Sequence, residues 1–334
     1  MNPEYKKILI VRFSSIGDIV ITSPIVRAVK KQLGAEVHFI TKTKFKSVVE
    51  NNPNIDKVLL IDKEITEIID CLKLERYDLI IDLHKNLRSK RLSYLLGVKS
   101  ISFDKINIQK WLEVHLSIDF LPKVHLVDRY FEGVKQIGIN DDGEGLDYFH
   151  GIRADEISKI IPASKYIALV LGATYMTKRI PIEKVEIIIK NAKLPIVLLG
   201  GNDVKEEANT LCANHKQLIN KVGKTSLNES ACIVSKSTFV ITGDTGLMHI
   251  AAAYKRPVIV FWGSTNIKLG MYPFFGKNHP KHVLHIINRD INCSPCSKIG
   301  KEKCPKSHFK CMVDITENQI KKSLEEIELK KGSD

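Results

Sequence analysis

Apolar and polar positions alternate along this chain in blocks that are typical of an α/β protein. Short, nearly continuous apolar runs rich in β-branched residues predict strands buried in parallel sheets, and the amphipathic stretches between them predict helices. In the first half, the predicted strands are Lys7–Phe13, Glu36–Thr41, Val58–Ile61 and Tyr77–Leu83. In the second half, they are Tyr166–Leu171, Pro195–Leu199, Thr238–Thr242 and Pro257–Trp262. This repeated strand–helix order predicts two doubly wound parallel sheets.

The length of the chain sets its domain organisation. A chain of 334 residues exceeds what one hydrophobic core usually serves, so we expect two domains. Asp141–Gly151 holds three glycines and three aspartates and is typical of the start of a linker. We therefore predict domains at 1–155 and 156–315, followed by a helix within 316–334. The other helices that the pattern predicts are Asp18–Leu33, Ile182–Asn191, Asp203–Ala213, Asn228–Ser235 and Gly246–Ala253.

Composition and charge narrow the class of protein. A hydrophobic fraction of 44% and a charged fraction of 27% are those of a soluble globular chain. The 51 basic and 38 acidic residues give a net charge of +13, which favours an anionic partner such as nucleotide phosphate, nucleic acid or an acidic membrane surface. No apolar run approaches the roughly 18 residues that a membrane span needs, and the start of the chain lacks a signal-peptide pattern. We expect a cytosolic protein.

The first candidate site is the turn directly after the first strand, which carries Ser14, Ser15, Gly17 and Asp18. Gly17 allows close approach of backbone, and the helix that begins here favours negative charge. Asp18 would then accept a proton from a bound hydroxyl group. The alternative is a serine-rich turn in which Asp18 only caps the helix. The motif alone leaves both interpretations open.

Two later strand-end loops carry features of phosphate binding. In Thr242–Gly246, two glycines bracket Asp244 and Thr245, and His249 lies one helical turn beyond Thr245. The alternative is a capped glycine turn beside a histidine satisfied in the core; the paired glycines favour phosphate. The loop after Tyr166–Leu171 carries Thr174 and Lys178. A single loop lysine is usually only solvated. Phosphate binding by Lys178 is favoured because the two other strand-end loops also have features of phosphate binding.

A cysteine group near the end of the chain suggests a metal. Four of the seven cysteines, Cys293, Cys296, Cys304 and Cys311, fall within nineteen residues. Four thiolates suit structural zinc or iron and leave no open position for catalysis. The alternative is a set of reduced cysteines in a basic loop. A nucleic-acid-binding protein with a cysteine metal site is a further rival, but no nucleic-acid-binding motif is present and we expect no nucleic acid partner.

Taken in order, these motifs resemble those of glycosyltransferase family 9, the ADP-heptose:lipopolysaccharide heptosyltransferases. The resemblance rests on Val11–Asp18, Tyr77–Leu83 with Asn86–Ser89, Thr242–Gly246 with His249, Pro257–Gly263, and the cysteine-bearing tail. It implies a GT-B fold, with two Rossmann-like doubly wound domains facing across a cleft. The acceptor would bind the N-terminal domain and the nucleotide sugar the C-terminal domain. The final helix would pack back towards the first domain.

The resemblance also implies roles for single residues. Asp18 would be the general base that deprotonates the acceptor hydroxyl, with inversion at the anomeric carbon, and Lys178 would stabilise the leaving ADP. The residues implied for nucleotide-sugar binding are Thr174, Lys178, Asp244, Thr245, Gly246 and His249. Those implied for acceptor binding are Ser14, Ser15, Gly17, Arg88, Ser89 and Arg129. The chain departs from the family at Trp262–Thr265, where a glycine-proline is common, so sugar contacts differ there.

The implied reaction moves heptose from ADP-heptose to an anionic lipopolysaccharide core or lipid A acceptor. Such an enzyme would be cytoplasmic and peripherally associated with the inner membrane. It would need no catalytic metal or organic cofactor, and a structural zinc or iron would be confined to the four cysteines. The alternatives are a protein O-heptosyltransferase and a non-catalytic nucleotide-sugar-binding protein.

Overall fold

The computed structural model describes residues 5–153, 156, 159–162, 165–280 and 282–330. The chain divides into two compact units. The first unit comprises Met1–Lys105, Val124–Gly151 and Gly276–His279. The second comprises Ile106–Lys123, Ile152–Phe275 and Pro280–Asp334. The sequence pattern did not indicate that Ile106–Lys123, which lies within the first half of the chain, belongs to the second unit.

The first unit contains a five-stranded parallel sheet. Its strands are β1 (Lys7–Val11), β2 (Glu36–Lys42), β3 (Lys57–Ile61), β4 (Leu79–Asp82) and β5 (Ser100–Ser102). They lie in the order β3-β2-β1-β4-β5, and every neighbouring pair is parallel. The strand order reverses at β1, and ligands in such sheets bind beyond the carboxyl ends at this point. We therefore expect a ligand-binding site at the turns after β1 and β4.

The second unit contains a six-stranded parallel sheet. Its strands are β6 (Ile167–Val170), β7 (Ile196–Leu199), β8 (Leu218–Asn220), β9 (Phe239–Thr242), β10 (Val258–Trp262) and β11 (Val283–Ile287). They lie in the order β11-β10-β9-β6-β7-β8, again with parallel neighbours throughout. The order reverses at β6, so the turns after β6 and β9 are the corresponding positions here.

Helices connect the strands of both sheets. In chain order they are α1 (Ile16–Ile21), α2 (Ser23–Ala28), α3 (Lys46–Val49), α4 (Ile69–Leu74), α5 (Leu87–Leu96), α6 (Asn107–Leu116), α7 (Leu126–Val134), α8 (Ile182–Asn191), α9 (Lys205–Asn214), α10 (Leu227–Lys236), α11 (Gly246–Ala253), α12 (Lys310–Val313) and α13 (Glu317–Lys330). A π-helical turn, Val29–Leu33, continues α2. Single 3₁₀ turns lie at Thr43–Phe45, Ile65–Glu67, Lys135–Ile137, Met176–Lys178, Asn202–Val204 and Ile267–Leu269.

Burial explains why the apolar runs become central strands. Ile8, Leu9, Ile10 and Val11 of β1 are all fully buried, so both faces of the strand are covered. Each such side chain contributes roughly 1.5–3 kcal/mol relative to exposure. No helix of the described residues is both long enough and apolar enough to cross a membrane.

The last helix packs within the second unit. Ile320, Leu324 and Ile327 of α13 recur at helical spacing and are buried in the core that β10 and β11 share with α8. The resemblance led us to expect this helix to pack towards the first domain. Within the second unit, the apolar stripe of α13 covers one face of the second sheet, and the expected packing towards the first domain stays a prediction.

Candidate functional site

Asp18 lies at the switch point of the first sheet, in the first turn of α1. The guanidinium of Arg12, directly after β1, contacts its Oδ1 at 2.5 Å. Arg12 also donates to the backbone oxygens of Ser14 at 2.8 Å and Leu83 at 2.5 Å, which ties together the turns after β1 and β4. Burial works against the charge of Arg12, but the combined attraction of Asp18, Tyr130 and Asp82 outweighs it and raises the pKa of the guanidinium. Asp18 is thus held in place by a permanent cation.

The other oxygen of Asp18 belongs to a capping box. Its Oδ2 accepts from the Ser15 backbone at 3.2 Å and from Ser15 Oγ at 2.7 Å. The capping alternative raised by the sequence is therefore present in the structure. The carboxylate still keeps 22% of its side-chain surface exposed, so capping does not remove it from solvent. Gly17 is buried within α1, whereas Ser14 is half-buried.

The end of β4 supplies a second carboxylate, Asp82, but this one is buried. Its oxygens accept from the backbone of His84 and Lys85 and from Ser89 Oγ at 2.6 Å. Ser89 is fully buried and its hydroxyl also accepts from the Asn86 backbone at 2.9 Å. The side chain of Ser89 thus holds Asp82 and the start of α5, and its expected contact with the acceptor stays a prediction.

Basic side chains surround these two turns. Lys105 Nζ donates to the backbone oxygens of His84 at 2.9 Å and Lys85 at 3.1 Å. Arg129 is buried and donates to the Asp104 backbone at 3.3 Å, and within the described part of the chain its Nε and second terminal nitrogen have no hydrogen-bond partner. Burial lowers the pKa of Arg129. These cations favour an anionic ligand at this end of the first sheet.

His84 and Arg88 complete the surroundings of the first switch point. Burial, followed by the charges of Arg12 and Lys105, lowers the pKa of His84 to about 3, so its imidazole is neutral at neutral pH. Arg88 is half-buried near the start of α5, where its guanidinium lies 3.7 Å from Glu64. Arg88 thus forms a loose ion pair, and its contact with the acceptor stays a prediction.

In the second unit, the switch point brings together Lys178 and Asp244. Lys178 Nζ lies 2.7 Å from Asp244 Oδ2, and Thr265 donates to the same oxygen at 2.8 Å. Gly243 lies so close to the Met176–Lys178 turn that an added Cβ would come within 2.0 Å of the Lys178 backbone oxygen. Only glycine fits there, which explains why the two loops meet.

The turn after β9 also begins α11. Thr245 is the N-cap: its Oγ1 accepts from the Met248 backbone at 3.3 Å and lies 2.9 Å from Thr242 Oγ1. Gly246 is the first helical residue, and His249 is buried one turn later. Thr174, in the loop after β6, is exposed to solvent. A helix N-terminus beside a lysine is an arrangement that suits phosphate oxygens.

The loop that carries Lys178 is braced by residues 293–311, which we call the cysteine segment. Thr177 exchanges backbone and side-chain hydrogen bonds with Lys301 at 2.8–3.1 Å, and its hydroxyl lies 2.8 Å from Ser264 Oγ. The backbone of Cys296 donates to Ser264 at 2.9 Å. Gly300, with φ of +109°, lies against Lys178: an added Cβ would come within 2.8 Å of the lysine Cδ.

The thiols of the cysteine segment are free and differ in environment. Burial, with some contribution from the three neighbouring thiols, raises the pKa of Cys311 to about 12. Burial opposes ionisation of Cys304 too, but backbone N–H groups that include Phe309, at 3.4 Å from its Sγ, lower its pKa. Cys293 Sγ lies 3.9 Å from His308 Nε2. The segment thus gathers soft donors of the type that binds zinc or iron.

The described residues do not form a closed four-sulfur group. The metal-type donors that lie within 4.8 Å of one another are Glu36, His38 and Glu75, at the opposite end of the first sheet from Asp18. Lys7 already pairs with both glutamates, at 3.2 and 2.9 Å. Because a fixed ammonium group supplies the positive charge, we interpret this trio as structural.

The comparison with known families decides the class of the chain. The model for glycosyltransferase family 9 (heptosyltransferase) matches residues 65–306. The chain belongs to glycosyltransferase family 9. Lipopolysaccharide heptosyltransferase 1 of Campylobacter coli is a relative, 25% identical over 289 residues that span 78% of this chain and 84% of that protein. Family 9 membership makes the chain a glycosyltransferase and confirms the recognition made from the motifs.

Solved structures of glycosyltransferases share the fold. A family 9 glycosyltransferase from Veillonella parvula matches with a TM-score of 0.75 at 20% identity, covering 97% of this chain and 98% of that one. TibC of enterotoxigenic Escherichia coli, a dodecameric iron-containing heptosyltransferase solved with ADP-D-β-D-heptose, matches with a TM-score of 0.61 at 13% identity, covering 98% and 77%. The predicted GT-B fold class, built from two Rossmann-like units, is confirmed.

Sequence reasoning found the two switch-point loops but missed several of their supports. Lys178 and Asp244 lie within the residues that the family model matches, whereas Asp18 lies before them. Arg12, Thr177 and Gly300 were not singled out. An arginine at the end of an otherwise apolar strand was a usable signal for Arg12. The partners of Thr177 and Gly300 are distant in sequence, so no local pattern could identify these two residues.

Proposed function

We propose that this family 9 enzyme transfers heptose from ADP-heptose to a lipopolysaccharide inner-core acceptor, with inversion. The observation that carries the proposal is Asp18: a partly exposed carboxylate at a sheet switch point, fixed by Arg12 and Ser15. A general base needs this combination of fixed position and access to the substrate hydroxyl. An enzyme with this reaction would be cytoplasmic and would work at the membrane that carries its acceptor.

On the donor side, Lys178 and the start of α11 would bind the diphosphate. Lys178 has Asp244 as its partner at 2.7 Å, and phosphate oxygens would share that ammonium group. Backbone N–H groups at Gly246 and the hydroxyl groups of Thr174 and Thr245 would add neutral donors. Donors fixed before the reaction stabilise the charge that develops on the departing ADP. His249 is proposed to act on the nucleotide side.

On the acceptor side, Asp18 would act as the general base. Asp18 takes the proton of the acceptor hydroxyl, and the oxygen bonds to the anomeric carbon of heptose. The bond from that carbon to the phosphate oxygen breaks, and ADP leaves with the electron pair. Ser14, Ser15 and Gly17 would shape the turn around the hydroxyl. Arg88 and Arg129 would meet the anionic groups of the acceptor.

The cysteine segment is proposed to hold one structural metal ion. Cys293, Cys296, Cys304 and Cys311 supply sulfur ligands that suit zinc or iron, and TibC is described as iron-containing. With four protein ligands the ion would contribute folding energy and would take no part in the transfer. Metal analysis of the protein purified without chelators should find about one zinc or iron per chain. A folded protein without metal would contradict the proposal.

ADP release tests the whole proposal. The enzyme is incubated with ADP-heptose, alone and with a heptose-deficient lipopolysaccharide core, and ADP is measured. Acceptor-dependent release is the expected result. Release that needs a protein acceptor instead would assign a protein O-heptosyltransferase. Binding of ADP-heptose without release, over all acceptors, would contradict enzymatic transfer at this site.

A further inference from the structure

Helix α6 presents three large apolar side chains to solvent. Glu113 points inwards: it is only 5% exposed and contacts Lys268 Nζ at 3.1 Å. Ile108, by contrast, is 73% exposed, and Trp111 and Leu116 are also exposed. A surface helix in water normally has the reverse arrangement. The outer face of α6 is therefore suited to a non-aqueous environment.

The chain after α6 extends the same surface. Ile118 and Phe120 are exposed, Phe120 by 66%. Ile106 and Leu121, at the two ends of the segment, are buried together with Leu269. The segment is thus anchored at both ends while it displays large apolar side chains between them. We call Ile108, Trp111, Leu116, Ile118 and Phe120 the outer apolar patch.

Basic side chains border this patch. Lys298 donates to the Asn107 backbone at 3.1 Å, at the start of α6. Lys306 and His308 line a cavity of about 500 Å³ together with Val114 and His115 of α6. Lys298 and Lys306 therefore place positive charge beside α6.

We propose that the outer apolar patch docks the enzyme on an anionic lipid bilayer. Tryptophan, phenylalanine and isoleucine insert at the headgroup–acyl boundary, and neighbouring lysines attract anionic headgroups. A second copy of the chain would bury the same apolar surface, but it would carry the same basic residues and repel them. The inference deepens the proposed function, since it rests on a lipid-linked acceptor and gives its membrane a contact surface.

Vesicle binding tests the patch directly, because the chain has two tryptophans and Trp262 is buried. Phosphatidylcholine vesicles with and without phosphatidylglycerol are titrated, and Trp111 fluorescence and co-sedimentation are followed. The test variant is Ile108→Ser/Phe120→Ser. The matched control is Leu74→Ser/Leu329→Ser, which removes two equally exposed apolar side chains elsewhere. ADP release with a soluble core acceptor is measured on every variant.

We expect the parent to bind vesicles that contain phosphatidylglycerol more tightly than vesicles of phosphatidylcholine alone. The emission of Trp111 should shift to the blue on binding, and brominated lipid should quench it. The test variant should bind about tenfold more weakly or worse, whereas the control binds like the parent. Equal binding by parent and test variant would overturn the proposal. The proposal would also be overturned if the parent did not bind vesicles but self-associated, and the test variant lost that self-association. Loss of ADP release with intact vesicle binding would instead contradict the proposed function and leave the docking surface standing.

Discussion

Asp18 has a different partner on each carboxylate oxygen, and this arrangement determines what a substitution there should do. Arg12 contacts Oδ1, and Ser15 donates to Oδ2. Asp18→Asn keeps the size and the capping geometry but removes the base. We expect kcat to fall by about 10²–10⁴-fold, while the affinity for ADP stays within about twofold. Steady-state ADP release and calorimetric ADP titration measure the two effects.

Asp70→Asn is the matched control for that experiment, since Asp70 is an exposed carboxylate that pairs only loosely with Lys73, at 3.6 Å. It should leave both kcat and ADP affinity unchanged. If Asp18→Asn weakened ADP binding as much as turnover, or unfolded the protein, Asp18 would be a structural residue and another base would be required.

His84 should make stability depend on pH. Burial and the neighbouring cations lower its pKa from the ordinary 6.5 to about 3 in the folded chain. The unfolded state therefore binds the proton more readily between these values. The contribution is fully present above pH 6.5 and is lost as the pH falls towards 3, at up to about 1.4 kcal/mol per pH unit. Urea denaturation at a series of pH values measures it.

His84→Gln should reduce the loss of unfolding free energy between pH 6.5 and pH 3, because glutamine cannot take up the proton. The exposed His115, replaced in the same way, serves as the control and should leave the slope unchanged. An identical acid dependence in the parent and in His84→Gln would show that the imidazole does not carry the effect.

Single residues also show what the sequence could not reveal. Asp18 and Lys178 were singled out because each lies in a loop that follows a predicted strand, where ligands of such sheets bind. The burial of Ser89 was not visible, since its hydroxyl is engaged by Asp82, seven residues earlier, across the end of β4. Its role depends on which neighbours the fold brings together.

At the scale of elements, the cysteine segment and the Lys178 loop behave as one support. Gly300 lies directly against the lysine side chain, and an added Cβ would come within 2.7 Å of Tyr175 Cβ. Gly300→Ala should therefore displace Lys178. We expect kcat/KM for the donor to fall by about 10–100-fold, since misplacement of a positioning group costs this much. Donor titration in the ADP-release assay gives the value.

Gly138→Ala is the control that separates two possible effects of Gly300→Ala, which are backbone strain and displacement of Lys178. Gly138 also has a positive φ, +80°, but an added Cβ there meets nothing within 4 Å. It shares the backbone strain without the steric clash. An equal loss in both variants would mean that strain, and not displacement of Lys178, is responsible.

Element prediction succeeded where burial was continuous and failed for two very short strands and for β11 (Val283–Ile287), most of whose residues are only half-buried. β1 and β6 are apolar on both faces and stand out in the pattern. β5 (Ser100–Ser102) and β8 (Leu218–Asn220) have three residues each, too few for any period to appear. They are strands because a parallel neighbour pairs with them. The strand orders likewise followed from the tertiary structure and not from any local signal.

For the whole molecule, the sequence predicted two units but did not indicate which core two parts of the chain join. Segment 106–123 lies early in the sequence, yet Ile106 and Leu121 pack with Leu269. The apolar stripe of the final helix lies in the second core, and the periodicity of that stripe did not say which core would accept it. Both assignments depend on which core accepts an apolar face, and periodicity only shows that such a face exists.

The assignment of α13 leads to a stability prediction for the second unit. Leu324 is buried in its core, so Leu324→Ala should lower the free energy of unfolding by about 2–5 kcal/mol. Trp262, buried in β10 of the same unit, reports the transition by fluorescence during urea denaturation. Leu329→Ala, on the exposed side of the same helix, should shift the midpoint little. If the two substitutions had equal effects, α13 would not cover the second sheet through its apolar stripe.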